Sequence, residues 1–378
     1  MNVLFITDEY LPIPSSNGAC VSRVVDSLET AGHTAYVLSV TKNNCENSEK
    51  VTYAFYNRTP APLKNRLFGF CQDDGFVDII CEYAEEIITL KKIDAVVSVC
   101  RPVETLIAGI KIKKMFGNIN LFGYFLDDLF ETELSNGIKT RIVRFNYKRL
   151  FNAFLNKAKK GIVLKYYKNT FSRIFSKSKN ISYVGLPCVQ KQCGENKRED
   201  NDIRILYAGS LNASFRNPES VLKILADVKK SVPNMRIQFF SCGCEDILES
   251  SRQLFEDDEI EFNGLVSTEK VKELFSSADI LLNIANDLPY AVPGKLFEYF
   301  STGKPILNYR FRADDPANEA YSVYPLIYNL YSYKENDIPD CAKFISTAQG
   351  KQVEFTEIEN LFKDSTPQYT ACAIIEEI

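Results

Sequence analysis

Apolar residues along the chain fall into two series, each alternating short β-branched runs with stretches of helical spacing. The first opens with VLFITDEY (3–10), an apolar run ending in acids, and passes into a helical pattern at Gly18 with Val21, Val24, Val25 and Leu28. TAYVLSV (34–40) reads as a second strand, followed by a helix over 75–91 and the strand IDAVVSVC (93–100). RPVETLIAGIKIKKMFG (101–117) is helical and INLFGYFL (119–126) strand-like. Strands alternating with helices imply crossover connections and a parallel sheet.

The pattern restarts after a seam. VGLPCVQKQCGENKREDND (184–202) contains Pro and Gly, turns polar, and reads as a linker. Beyond it come the strand IRILYA (203–208), a helix at 217–231, MRIQFF (235–240), a helix near 246–255, EIEFNG (259–264), a helix at 267–277 and DILLNIA (279–285). A short helix within PGKLFEYFSTGKPI (293–306) leads into PILNY (305–309), and helical patterns recur near 354–363 and 368–378. The expected architecture is α/β, with two doubly wound parallel-sheet domains enclosing a cleft. Residues 1–190 form the first, 191–365 the second, and 366–378 a C-terminal helix returning to the first.

A length of 378 residues agrees with two domains, since a single core seldom serves so many. The hydrophobic fraction of 45% and charged fraction of 25% are those of a soluble globular protein. No apolar run approaches the ~20 residues needed to span a bilayer. MNVLFITDEY lacks a basic leader and reads as a first strand, so the expected location is cytoplasmic and the eleven cysteines are expected to be reduced. Cys242 and Cys244 form a CGC with no second pair or histidine cluster to complete a metal site.

In parallel sheets, ligands bind beyond the carboxyl ends of strands, where helix N-termini present free N–H groups and a positive dipole end. PGKLFEYFSTGKPI sits at such an end. Pro293 suits the first helical position and Gly303 the helix stop. Lys295 in the first turn opposes the helix dipole, a conflict that a bound anion such as phosphate would resolve. Glu298, one turn on, can accept hydrogen bonds from two vicinal hydroxyls, as on a ribose. The alternative is an exposed surface pair worth a few tenths of a kcal/mol.

The runs "PGKLFEYFSTGKPIL", "FNGLVSTEKVKELFSSADILL", "YAGSLNASFRNPESVLKIL" and "FITDEYLPIPSSNGACVSRVVDSLETAGHTAYVL" together resemble glycosyltransferase family 4-type enzymes of the GT-B fold. The likeness is strongest over 200–310, and is nearest to bacterial members that build capsule, O-antigen or exopolysaccharide. It implies two facing Rossmann-like domains and a nucleotide-sugar donor, UDP- or GDP-linked, held mainly by the second. On this resemblance Glu298 holds the ribose and Lys295 lies near the pyrophosphate, with Gly294 beside it in the same signature. Gly209 lets a backbone approach the phosphates, Arg216 is a basic pyrophosphate ligand, and backbone groups around Gly264 and Val266 read the base edge. Two positions depart from the family pattern. Tyr290 stands where the first Glu of its E-x7-E would be, and Ser210 stands where many members have Arg. Retention of anomeric configuration is implied, with no metal and no cofactor beyond the donor, and with Lys295 and Arg216 stabilising the leaving diphosphate.

In the first domain, Gly18 in "SSNGA" reads either as a close backbone approach to donor phosphate or acceptor, or as a helix-start glycine. Asp127 and Asp128 end a strand-like run, where an acid can orient an acceptor hydroxyl or act as base. His33, the single histidine, and Cys20 read as structural.

The net charge of −4 hides an asymmetry, because residues 139–179 hold thirteen Lys/Arg and no Asp or Glu. Within 138–158, Val143, Tyr147, Leu150, Phe151 and Phe154 recur at helical spacing, with Arg141, Arg144 and Lys148 on another face. Such a helix can lie on an anionic membrane, joined by PLKNRLFGF (62–70), or pack on its own domain. Nothing resembles a nucleic-acid module. The expected function is a retaining hexosyltransferase, peripheral on the inner face of the plasma membrane, that extends a lipid-linked glycan in bacterial surface polysaccharide synthesis. A nucleotide-sugar epimerase and a catalytically silent GT-B scaffold are the alternatives.

Overall fold

The structure, a computed structural model, describes residues 1–13, 15–60, 72–128, 130, 138–176, 178–191, 200–256, 258–289 and 292–376. The stretch 62–70, expected to join a membrane-facing patch, lies outside them, as does Tyr290. The chain forms two compact units, Met1–Pro187 with Asp364–Ile378, and Cys188–Lys363.

The first unit runs β1 (Asn2–Thr7), α1 (Ser16–Thr30), β2 (Thr34–Thr41), β3 (Val51–Phe55), α2 (Asp74–Lys91), β4 (Ala95–Cys100), α3 (Glu104–Met115) and β5 (Asn120–Phe125). It continues through α4 (Ile138–Leu155), β6 (Lys160–Leu164), α5 (Lys168–Ile174) and β7 (Ile181–Val184). Its seven strands are parallel in the order β3-β2-β1-β4-β5-β6-β7.

The second unit runs β8 (Ile203–Ser210), α6 (Glu219–Lys229), β9 (Met235–Cys242), α7 (Glu245–Arg252), β10 (Ile260–Asn263), α8 (Thr268–Ser277) and β11 (Ile280–Ile284). Then come α9 (Gly294–Ser301), β12 (Ile306–Arg310), α10 (Asn318–Val323), β13 (Ile327–Tyr331), α11 (Ile338–Ser346) and α12 (Phe355–Leu361). Six parallel strands take the order β10-β9-β8-β11-β12-β13. A last helix, α13 (Pro367–Ile375), belongs to the first unit and packs on α1, β6 and β7.

Central strands carry the strongest sequence signal because both their faces are covered. Every residue of β4 and β11 is buried, as expected of parallel strands beneath helices on both sides. The sequence gives no comparable run for β3, β7 and β13, which lie at sheet edges and are mostly half-buried. Gly303 ends α9 for a plain reason. Its φ is +72°, and a Cβ there would fall 2.2 Å from the Val353 carbonyl oxygen.

The basic stretch corrects one expectation. Leu150, Phe151 and Phe154 of α4 are buried at 1%, 1% and 0% exposure. Phe151 stacks with Phe175 at 5.9 Å and meets Phe125 at 5.0 Å and Phe130 at 5.2 Å between ring centroids. The apolar face of α4 is therefore core and cannot also enter a bilayer. Arg141, Phe145, Lys148 and Arg149 are exposed, Phe145 at 63%, with the Arg149 guanidinium 5.9 Å from its ring centre. Arg144 is only half-exposed and its Nε is buried. Among the described residues no helix is long and apolar enough to cross a membrane.

These two phenylalanines should behave oppositely. Phe151→Ala is expected to destabilise the chain by about 3–5 kcal/mol, and Phe145→Ala by no more than about 0.5 kcal/mol. Urea midpoints of the two variants measure this. Equal losses would mean that the faces of α4 are wrongly assigned.

Candidate functional site

In each sheet the strand order reverses at one point, between β1 and β4 and between β8 and β11. Such switch points open a crevice at the carboxyl ends, where doubly wound folds bind ligands. In the second unit β8 and β11 are paired only at Ile205–Ile280 and Leu206–Leu281. Two residues further on, the Tyr299 hydroxyl of α9 replaces the ladder. It accepts from the Ala208 N–H at 3.2 Å and donates to the Ala208 carbonyl at 3.3 Å. Tyr299 is fully buried, and its hydroxyl pKa is pushed up by that burial. The contact satisfies Ala208 and fixes α9 against the end of β8.

Past Gly209 the chain forms a tight loop. Asn212 and Arg216 exchange backbone hydrogen bonds at 3.2 and 2.8 Å, and Asn212 Oδ1 accepts from Ser214 N–H at 2.9 Å. The Phe215 carbonyl accepts from Asp287 N–H at 2.7 Å, tying the loop to the end of β11. This closure places the Arg216 guanidinium at the switch point. Nη1 donates to the Ser210 carbonyl at 3.0 Å, while Nε and Nη2 donate to Asn286 Oδ1 at 3.0 and 2.5 Å. The Ser210 carbonyl also accepts from the Tyr207 hydroxyl at 2.9 Å. Burial pushes the Tyr207 hydroxyl pKa up to about 12, so the group remains a donor at neutral pH.

Helix α9 begins at Gly294, one residue later than expected, with Pro293 as its N-cap. Pro293 supplies no side-chain cap and the first turn holds no acid. Lys295 Nζ pairs with Glu298 Oε2 at 2.9 Å and lies 5.5 Å from the centre of the Phe275 ring. The conflict between Lys295 and the helix dipole is thus met inside the protein as it stands. Both side chains remain partly accessible, at 35% and 21%, where such a pair contributes a few tenths of a kcal/mol. Among the described residues, a Cβ at Gly294 would meet only Cys188 Sγ, at 3.6 Å.

The other expected donor-side residues lie along the same rim. Among the described residues, a Cβ at Gly209 would meet only the Tyr207 hydroxyl end, from 3.6 Å. Gly264 and Val266 are exposed in the loop between β10 and the Ser267 cap of α8, with Leu265 between them 64% exposed. Strand β10 is two strands from β8, so this loop lies about 10 Å from Ser210 across the sheet.

In the first unit Gly18 has a packing explanation. A Cβ there would lie 2.7 Å from Ser15 Oγ and 2.9 Å from the Glu9 carbonyl oxygen, and Ser15 Oγ caps α1 by accepting from Gly18 N–H at 2.9 Å. Asp127 Oδ2 accepts from Asn17 Nδ2 at 3.1 Å. Asp128 is buried, accepts from Phe130 N–H at 2.8 Å, and shapes its own turn. His33 precedes β2, at the amino end of the sheet and away from the strand ends that carry Asp8 and Asp127. Cys20 is buried in α1.

Asn286, Tyr299 and Asp8 went unremarked in the sequence. Asn286 owes its role to a contact across 70 positions, which spacing does not reveal. Asp8 did carry a signal, as the first acid beyond β1 at the switch point. Burial pushes its carboxyl pKa up to about 6, against the lowering pull of Arg58. Among the described residues no group of three or more His, Cys, Asp or Glu is placed to hold a metal ion.

No protein-family model matches the chain, and a search of curated proteins found no match. Solved structures do match it. The lipopolysaccharide outer core galactosyltransferase WaaB superposes with a TM-score of 0.60 at 14% identity, covering 100% of both chains. Sucrose-phosphate synthase from Thermosynechococcus elongatus gives 0.61 at 12% identity, over 99% of this chain and 96% of that one. UDP-GlcNAc 2-epimerase from Methanocaldococcus jannaschii gives 0.61 at 12% identity, over 100% of both. At these identities the likeness is one of fold, and the chain has the GT-B fold of two Rossmann-like, parallel-sheet domains.

Asp8 supplies a test of the first unit's strand ends. Its folded pKa is raised, so the fold favours the protonated acid, and stability is lost as pH rises from about 4 to about 6. At pH 7 the ionised carboxylate then costs about 3 kcal/mol. Asp8→Asn is expected to raise the urea midpoint at pH 7 and to leave it unchanged near pH 3.5. An equal effect at both pH values would show that the carboxyl is not held in its neutral form.

Proposed function

We propose that the chain transfers a sugar from a nucleotide-sugar donor to a glycan acceptor. One observation carries this reading. Arg216 is fixed at the β8–β11 switch point by neutral acceptors, and α9, which follows β11, starts without a side-chain cap. A cation and a helix start together favour an anion, and a nucleotide diphosphate is the anion this type of crevice accommodates. In the proposed complex Arg216, Lys295 and the first N–H groups of α9 take up charge on the departing diphosphate, and Glu298 receives the ribose hydroxyls. Gly209 and Ser210 pass beneath the phosphates, and Gly264 and Val266 border the base. Asp127, held by Asn17, orients an acceptor hydroxyl. Preorganised charge of this kind lowers the barrier without a covalent intermediate. The finer reading is retention at the anomeric carbon and a lipid-linked acceptor in surface polysaccharide synthesis.

The epimerase likeness supports a second reading, conversion of the nucleotide-sugar itself. Turnover separates the two. An epimerase changes a nucleotide-sugar with no acceptor present, whereas the transferase consumes it only with one.

Thermal shift against UDP-, GDP- and ADP-sugars tests the donor site. A donor present at about 100 times its Kd adds about 2.7 kcal/mol and raises Tm by about 3 °C or more. Lys295→Ala, Arg216→Ala and Glu298→Ala should each remove most of that rise. No response to any donor would overturn the reading. Membrane contact is assigned to Arg141, Phe145, Lys148 and Arg149. With about 1 kcal/mol per cation near an anionic surface, reversing the three charges to Glu should weaken flotation with phosphatidylglycerol vesicles at least about a hundredfold. Undiminished flotation would reject this face.

A further inference from the structure

Two arginines at the strand ends of this sheet offer a direct comparison. Arg312, just beyond β12, lies 3.6 Å from Asp287 and 2.8 Å from Asp314, so two acids cancel its charge. Arg216, beyond β8 and two strands away, is held differently. Its Nε and Nη2 converge on the amide oxygen of Asn286, and its Nη1 reaches the Ser210 carbonyl. Both acceptors are neutral. Asn286 is 93% buried, so it does not merely decorate the surface; Asp287, next in sequence, sends its carboxylate to Arg312 instead. The backbone bond from Asp287 N–H to the Phe215 carbonyl at 2.7 Å fixes the separation of the two loops and brings Asn286 within reach of the guanidinium.

We infer that Asn286 is a positioning residue that aims Arg216 at the switch point while leaving its positive charge uncancelled for a diphosphate. The inference rests on the proposed donor site and adds the residue that keeps its cation usable. The choice of amide over acid is the physical point. Aspartate at 286 is nearly the same shape and accepts the same two hydrogen bonds, yet as a carboxylate it forms a charge-assisted pair with the guanidinium and competes with any incoming anion. Alanine leaves the charge intact but removes the aim.

Calorimetric titration of the full chain with UDP, GDP and ADP, and with the three parent nucleosides, tests this on wild type, Asn286→Asp and Asn286→Ala. The wild type should bind at least one diphosphate, with an affinity that falls as salt rises. Asn286→Asp should weaken that diphosphate about tenfold or more, flatten the salt dependence, and leave the affinity for the nucleoside unchanged. Asn286→Ala should weaken the diphosphate less and keep the salt dependence, which holds the inference open to refutation even if the Asp variant melts early. Equal weakening of nucleoside and diphosphate would reduce Asn286 to a structural role and overturn the inference, as would wild-type binding by both variants. Failure of the wild type to bind any diphosphate would instead overturn the donor site itself, and this inference with it.

Discussion

The second unit depends on one hydroxyl placed where a strand would otherwise pair. Beyond Leu206 and Leu281 the β8–β11 ladder stops, and the buried N–H and C=O of Ala208 would each be left without a partner. Leaving a buried backbone group unpaired costs about 1–3 kcal/mol, so the split is stable only because Tyr299 accepts from one and donates to the other. That contact opens the crevice and seats α9 at its mouth. Phe275 packs edge-on against Tyr299 at 5.3 Å and also lies beneath the Lys295 ammonium. The residue that parts the strands thus belongs to the packing that places the cation.

Charge is distributed along this rim unevenly. Arg312 is neutralised by two carboxylates, and Lys295 is paired with Glu298. Arg216 is directed by an amide and a carbonyl, which take up its N–H groups without cancelling its charge. Half-buried as it is, such a cation exerts a stronger pull than it does in bulk water. The loop that carries it is closed on itself by the Asn212–Arg216 bridge, so little of that pull is lost to reorganisation.

The α/β organisation was legible in the sequence because a parallel strand buried on both faces leaves a near-continuous apolar run. β1, β4, β5, β8 and β11 all show one. The edge strands do not, and β6, KGIVL, is a short apolar run within a block whose lysines and arginines dominate any reading of it. Periodicity in α4 identified an apolar face but not what covers it; the Phe125, Phe130, Phe171 and Phe175 rings settle that. Of the candidate site, Arg216, Lys295 and Glu298 are visible as charged groups at strand and helix ends. Asn286 and Tyr299 are not, since each acts through a contact with a residue 70 or 91 positions away. Gly18 illustrates the reverse case. A glycine at a helix start invites a ligand, yet the Glu9 carbonyl and Ser15 already account for its missing side chain.

The Lys295–Glu298 pair is compatible with the donor site proposed above. A lysine in the first turn of a helix is unfavourable by itself, and a carboxylate in the next turn offsets that. The offset must be small if a ligand is to displace it, and at this degree of exposure it is, at a few tenths of a kcal/mol. A buried version of the same pair would resist opening, because separating two desolvated charges costs several kcal/mol. Partial exposure leaves two residues one turn apart paired by a contact weak enough for an anion to compete with it.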